Sequence, residues 1–290
     1  MNDRDCISLL QWALPRLGHR WRGYRQVRRQ VCRRIDARIK FLGLANAAAY
    51  RQRLESHSAE WTELLACLPV TISRFFRDRG VFQTLADTVL PALAQSAQQR
   101  GAHTLRAWSA GCASGEEAYS LSMLWVFQLQ EHHPGLVLSV LATDVDAAVL
   151  DRARAACYQA SSLRELDAAW REKAFTREND RYCLRPSLRA CVSFVQQDLS
   201  SVMPPGPFDL ILCRNLAFTY FDEALQRNIA ALLVQRLVPG GCLVVGAHER
   251  LPEGVADIAP WPGKPGFYRR VSVEQDIEGA GWGGGADIKG

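Results

Sequence analysis

No run of this sequence is apolar for long enough to cross a membrane. The longest apolar runs, such as Leu136–Ala142 and Leu243–Ala247, fall far short of the roughly 18–20 residues that a span needs. The opening stretch, MNDRDCISLLQWALPRLGHR, has aspartates where a secretory signal would have a long apolar core. The nine cysteines stand singly, with no CxxC pair and no metal-ligand spacing. No metal site is therefore expected, and the pattern predicts reduced thiols in a cytoplasmic protein. His103, His132, His133 and His248 form no cluster beyond the adjacent pair. A histidine metal centre and a Ser-His hydrolase thus have no support.

What is present is ordinary globular material: 290 residues, 48% hydrophobic and 22% charged. That length allows one large domain or two unequal ones, and the composition excludes a wholly disordered chain. The net charge of +5 is unevenly spread. Arg16 to Lys40 holds nine arginines and one lysine against the single acid Asp36, which leaves the rest of the chain net negative. Such a block suits an acidic protein face, a nucleic acid or a membrane surface; the plain alternative is a solvated helix face.

Residues 1–90 read as a helical N-terminal domain. Val27, Val31, Ile35 and Ile39 recur every four residues and stack on one helix face, leaving Arg28, Arg29, Arg33 and Arg34 largely off it. Further helices are expected over Ala45–Leu54, over Ser58–Cys67 before Pro69, and over Phe75–Leu93 with an interruption at Pro91. Beyond Arg100 the pattern changes. Short β-rich runs at Leu105–Ser109, Val137–Ala142, Val192–Val195, Phe208–Cys213 and Cys242–Gly246 alternate with helix-period segments at Glu116–Glu131, Ala147–Ala156 and Asp222–Leu237. This alternation predicts an α/β fold with a parallel sheet buried on both faces, over residues 91–275. The polar stretch 158–191 interrupts the rhythm and reads as a small inserted subdomain, with short strands at Arg181–Arg185 and Arg189–Val195. Residues 276–290 are glycine-rich and read as a flexible tail.

The first strand runs into Gly111-Cys112-Ala113-Ser114-Gly115-Glu116-Glu117. Small residues between a strand and a helix let the backbone approach a ligand closely. Two glutamates at the helix start disfavour a pyrophosphate and favour a cationic or hydroxyl-bearing ligand; complementing the helix dipole is the plainer alternative. The second strand ends at Asp144, where doubly wound sheets grip a ribose diol. The third is followed by Gln197-Asp198-Leu199, an acid placed to face an adenine amino group, and the fourth by Arg214-Asn215. All these turns fall on the ligand edge of such a sheet. A ribose and an adenine with a positive charge and no phosphate describe S-adenosylmethionine better than a nicotinamide dinucleotide.

The motifs TISRFFRD (71–78), WSAGCASGEEAYS (108–120), ATDVD (142–146), FDLILCRN (208–215) and YFD (220–222) resemble, in order and spacing, the chemoreceptor glutamate methyltransferases of the CheR family. The resemblance covers roughly residues 20–255. It implies a Rossmann-like class I methyltransferase sheet, a helical N-terminal domain, a small antiparallel β insert, and S-adenosylmethionine as donor with S-adenosylhomocysteine as product. Carried over by position, Arg77 and Tyr220 are the expected catalytic pair. Thr71, Ser73, Arg77, Gly111, Cys112, Ala113, Glu117, Asp144, Asp198, Leu199, Asn215 and Leu216 are the expected donor contacts. An ion pair of Arg77 with Asp78 or Asp87 is the competing role for that arginine.

The sequence departs from the family pattern in three places. Four residues instead of three separate Asn215 from Tyr220; His248-Glu249 replaces a Ser-Glu; and the insert has a short turn at Glu178–Arg181. In the family the longer insert docks a receptor tail peptide, so the short turn suggests none is docked here. The expected function is O-methylation of glutamate carboxylates on a chemoreceptor or related signalling protein, in chemotaxis. The basic helix 25–38 is expected to meet an acidic face of that acceptor. The alternatives are the same donor chemistry on another acceptor, or a non-catalytic cofactor-binding regulatory module. Nucleic acid is not expected as a partner, because Cys213-Arg214-Asn215 stands where base methylases carry an Asn/Asp-Pro-Pro-Tyr turn.

Overall fold

Val31, Ile35 and Ile39 are all buried in the computed structural model, as a four-residue stripe requires. The structure describes residues 1–271, so the expected tail at 276–290 lies outside the described residues. The stripe belongs to helix α2 (Arg28–Phe41), which packs with α1 (Asp3–Ala13), α3 (Ala47–Ser56) and α4 (Ala59–Cys67). Their apolar faces form one cluster running from Cys6 to Leu68. Asn2 and Asn46 cap α1 and α3, each side chain accepting a backbone N–H three residues on. The Arg38 guanidinium forks onto the buried Glu60 carboxylate at 2.9 and 3.0 Å, and Tyr50 donates its hydroxyl to the same carboxylate.

The segment after this cluster packs on the sheet instead, with Phe75, Phe82, Leu85 and Leu90 in the sheet's core. Its helix starts only at Arg79 and widens by one residue over Leu85–Val89 before α5 (Leu90–Gln99). Pro91 has no N–H to continue the ladder, and the Leu90 N–H reaches back five residues to Leu85.

Ten strands occur among the described residues: β1 (Thr104–Ala110), β2 (Val137–Asp144), β3 (Cys157–Gln159), β4 (Phe175–Glu178), β5 (Arg181–Leu184), β6 (Val192–Gln196), β7 (Phe208–Cys213), β8 (Leu237–Val245), β9 (Ile258–Pro260) and β10 (Phe267–Arg270). Seven form one sheet in the order β6-β2-β1-β7-β8-β10-β9. From β6 to β8 the strands are parallel, while β10 and β9 turn back antiparallel. β7 is buried at every position, as a strand covered on both faces must be. The chain first winds outward from β1 to β6, then returns to β7 on the other side. The carboxyl ends of β1 and β7 therefore flank the topological switch point, where such sheets bind ligands. β3, β5 and β4 make a separate antiparallel sheet, confirming a β insert between the second and third strands of the main sheet.

The structure corrects the reading of the cysteines at four positions. Cys6 is bonded to Cys32, and Cys157 to Cys183. Packing of α1 on α2 makes the first pair; the β3–β5 register, which sets Cys157 directly opposite Cys183, makes the second. Both partners are 26 residues apart, a distance at which no local motif signals the pairing.

Removing Arg38 would strand a buried carboxylate. Arg38→Ala is expected to lower the urea midpoint, whereas Arg29→Ala on the exposed face should leave it nearly unchanged.

Candidate functional site

At the switch point lies a cavity of about 730 Å³. Every residue expected to hold the donor or act on the acceptor lines it, from Thr71, Ser73 and Arg77 to Leu216 and Tyr220. The donor side is built by the turn after β1. Gly111 and Ala113 take positive φ (73° and 50°), which folds the turn back so that the Gly111 and Cys112 N–H groups both donate to the Thr143 carbonyl. A Cβ on Gly111 would lie 2.5 Å from the Leu216 side chain, so only glycine allows this approach. Asp144, at the end of β2, accepts from the Ala113 N–H (2.9 Å) and the Asp146 N–H (3.1 Å). Burial pushes its carboxyl above the ordinary 3.8. Asp198 accepts from the Ser200 N–H and hydroxyl through one oxygen. Cys112 is 1% exposed, and its thiol is pushed up by burial.

Glu117 and Arg214 link this side to the acceptor side. Ser109 donates its hydroxyl to Glu117 at 2.8 Å, and Arg214 donates to Glu117 at 2.9 Å. Arg214 also donates to Asp78 (2.7 Å) and to the Arg77 carbonyl (3.0 Å), and it lies over the Phe82 ring. Phe75 fixes the same stretch from below, edge-on to Tyr158 and Phe175 of the small sheet, with its N–H on the Ser162 carbonyl. Phe76 packs on Phe82 and Trp170. With both phenylalanines buried, Arg77 is left on the cavity wall. Its guanidinium donates to the Ile72 carbonyl (2.7 Å), while Asp78 is taken by Arg214 and Asp87 by Gln83. Among the described residues Arg77 makes no ion pair, which removes the competing role.

Tyr220 reaches the cavity despite the longer connection. The extra residue is taken up in one helical turn, Ala217–Tyr220, after a left-handed Asn215 (φ 55°). Glu249 holds this turn by accepting from the Asn215 N–H (2.8 Å), the Gly246 N–H (2.6 Å) and the Thr219 hydroxyl. Burial pushes the Tyr220 hydroxyl up, against the opposing pull of the Arg77 charge. His19 and Tyr24 from the N-terminal segment also line the cavity, with the Tyr24 hydroxyl hydrogen-bonded to His19 Nδ1 (2.7 Å). Burial holds His19 neutral, lowering it from 6.5 to about 4 against the opposing pull of Asp222 and Asp198.

Sequence reasoning missed the structural parts of Arg214, Glu249, His19 and Tyr24. Arg214 and Glu249 were visible within motifs, but nothing in the sequence showed what they touch. His19 and Tyr24 carry no local signal at all. Elsewhere among the described residues, Cys157, Glu178 and Cys183 bring ligand-type atoms within 4.8 Å of one another, but the two sulfurs are bonded together.

A family model described as "CheR methyltransferase, SAM binding domain" matches residues 71–262. The chain belongs to the CheR methyltransferase family. It is 31% identical over 222 residues to the chemotaxis protein methyltransferase of Listeria monocytogenes, covering 77% of this chain and 81% of that one. It is 34% identical over 230 residues to the chemotaxis protein methyltransferase of Escherichia coli, covering 77% of this chain and 76% of that one. It is also 32% identical over 222 residues to an uncharacterized 104.1 kDa protein of Rhodobacter capsulatus, of which it spans only 23%.

The domain of this CheR-family chain binds S-adenosylmethionine, and the chain is a methyltransferase that uses it as donor. The cavity fits that molecule. Its strand-end turns offer the carboxylates Glu117, Asp144 and Asp198, suited to hydroxyl, amino and sulfonium groups. Of its arginines, Arg74 and Arg214 are already paired with Glu165, Asp78 and Glu117, which leaves Arg77 as the one without an ion pair among the described residues.

His19 sets a pH dependence of stability. Between pH 6.5 and 4 the unfolded chain takes up a proton at this histidine that the folded chain refuses, so stability falls as pH falls. From pH 7 to 5 the loss traceable to His19 is about 2 kcal/mol. Urea midpoints at the two pH values, with His19→Gln as the flattened control, measure it.

Proposed function

We propose that this protein transfers a methyl group from S-adenosylmethionine to glutamate side-chain carboxylates of a chemoreceptor. The observation that carries the reading is Arg77, a guanidinium with no ion pair among the described residues, lining the same cavity as Tyr220 and the acid-bearing donor turns. The sheet domain, with the segment from Thr71 that packs on it, acts as the donor-binding part and the helical cluster before it as the acceptor-facing part, in the cytoplasm; no helix among the described residues is long and apolar enough to cross a membrane.

Bound in the cavity, S-adenosylmethionine supplies an electrophilic methyl group. The acceptor needs no general base, because a glutamate with an ordinary pKa near 4.3 is already ionised at neutral pH. The work left to the protein is positioning, with the carboxylate oxygen about 3–3.5 Å from the methyl carbon and in line with the bond that breaks. Arg77 offers a planar fork for the carboxylate. Its grip is limited by sharing the guanidinium with the Ile72 carbonyl, which suits a group whose charge disappears as the ester forms. Tyr220 borders the same space and orients the acceptor. Asp144 and Glu117 hold the donor.

The basic helix contributes less free charge than the sequence suggests. Arg28 is bidentate on Asp3, Arg34 donates to the Cys67 and Pro69 carbonyls, and Arg38 is spent on Glu60 and Glu63. Arg25, Arg29 and Arg33 are exposed and make no ion pair among the described residues. These three are the surface that meets an acidic acceptor face.

Methyl transfer from labelled donor to a receptor cytoplasmic fragment tests the reading. Arg77→Ala is expected to lower kcat/KM by at least about 100-fold, a loss larger than any weakening of S-adenosylhomocysteine binding; unaltered transfer would remove Arg77 from the mechanism. Reversing Arg25, Arg29 and Arg33 to Glu should raise the acceptor KM about tenfold and flatten its salt dependence. Donor affinity should fall as pH drops through the raised Asp144 pKa, since protonation removes an acceptor from the ribose site. Asp144→Asn, titrated calorimetrically, should bind weakly at every pH.

A further inference from the structure

We propose that the N-terminal segment Gly18–Tyr24 is a positioning clamp for Tyr220, so that the acceptor half of the active site is completed by residues outside the donor-binding domain. The proposal rests on the reading that Tyr220 faces the methyl acceptor. Tyr220 ends a single four-residue helical turn, and a turn that short has no stability of its own in water. Its last carbonyls have no partner within the helix. Arg20 supplies partners: its guanidinium donates to the Thr219 carbonyl (3.0 Å) and the Phe218 carbonyl, and its backbone N–H donates to the Tyr220 carbonyl (2.8 Å). Two residues on, the Asp222 N–H donates to the Gly18 carbonyl at 2.7 Å. The backbone on both sides of Tyr220 is thus tied to one N-terminal segment.

The side chains repeat the arrangement. The Tyr24 ring lies 4.9 Å from the Tyr220 ring at 49°, and the Tyr24 hydroxyl is locked on His19, which itself stands edge-on to Phe221. Contact is so close that a Cβ on Gly23 would sit 2.3 Å from the Thr219 carbonyl oxygen and 3.1 Å from the Tyr220 ring. Glu249 holds the same turn at Asn215 and Thr219 but makes no bond to Tyr220 itself. A four-residue turn whose end carbonyls lack partners in the helix needs an external restraint. The clamp supplies it.

The test uses the full-length chain, a receptor cytoplasmic fragment, and S-adenosylhomocysteine as binding probe. Arg20→Gln and Tyr24→Leu are expected to lower kcat about 10- to 100-fold, with the acceptor KM changed less than about threefold and the probe's Kd unchanged. Arg20→Lys, which keeps a donor for the carbonyls, should recover part of the loss. Gly23→Ala displaces the same turn by a different route and should act like the other two. In a Tyr220→Ala background these substitutions should have almost no further effect, since a clamp acts only through what it holds. Wild-type kcat in Tyr24→Leu and Arg20→Gln would overturn the clamp while leaving Tyr220 in place. Losses that multiply with Tyr220→Ala would also overturn it, by showing a merely structural role. Wild-type kcat in Tyr220→Ala alone would overturn the underlying reading instead, and the clamp with it.

Discussion

Arg214 is 7% exposed, and a guanidinium so far from water is tolerated only with its charge matched. The carboxylates that match it come from two different parts of the chain, Asp78 after the Phe-Phe motif and Glu117 at the start of the helix after β1. A third bond goes to the Arg77 carbonyl. Satisfying one buried cation therefore fixes the distance between the donor turn and the arginine that faces the acceptor. Removing either carboxylate would free one side of this bridge and loosen the tie between the two turns. The geometry of the rest of the site depends on this balance.

Around that centre the backbone is bent where few residues bend. Phe76, Asp78, Ala113 and Asn215 all take positive φ without being glycine, a conformation that persists only when the surroundings enforce it. Each has such an enforcing contact. Phe76 donates its N–H to Ser120, Asp78 is held by Arg214, Ala113 donates to Asp144, and Asn215 donates to Glu249. Ala113 and Asn215 line the cavity, Phe76 and Asp78 flank Arg77 on either side, and the polar network holds all four.

Much of this was legible in the chain. The alternation of apolar runs and helix-period segments specified the parallel sheet, because strands buried on both faces can hardly be written otherwise. The strand-end turns placed the expected site residues on one edge, and all of them line one cavity. The four-residue stripe of α2 named its buried face. Less was legible where contacts join distant segments. The arginine block reads as one charged face, yet Arg28, Arg34 and Arg38 are consumed by Asp3, by the Cys67 and Pro69 carbonyls, and by Glu60. The cysteines read as isolated, yet four of them pair across 26 residues. β9 and β10 are too short and too irregular in pattern to stand out before their pairing is known.

The sequence by itself determined the fold class and which turns fall at the switch point, because periodicity sets which face is buried and a turn after a strand must fall at that strand's end; Arg77 and Tyr220 were marked only by the resemblance to the family. Only the tertiary structure decided that the longer link after Asn215 coils into one helical turn, that Glu249 and Gly18–Tyr24 hold it from two sides, and that Arg77 is left without an ion pair. These outcomes depend on which polar groups meet once the chain is packed. A buried charge or carbonyl takes the partner that packing brings to it, and that partner can lie almost 200 residues away, as Arg20 does from Thr219.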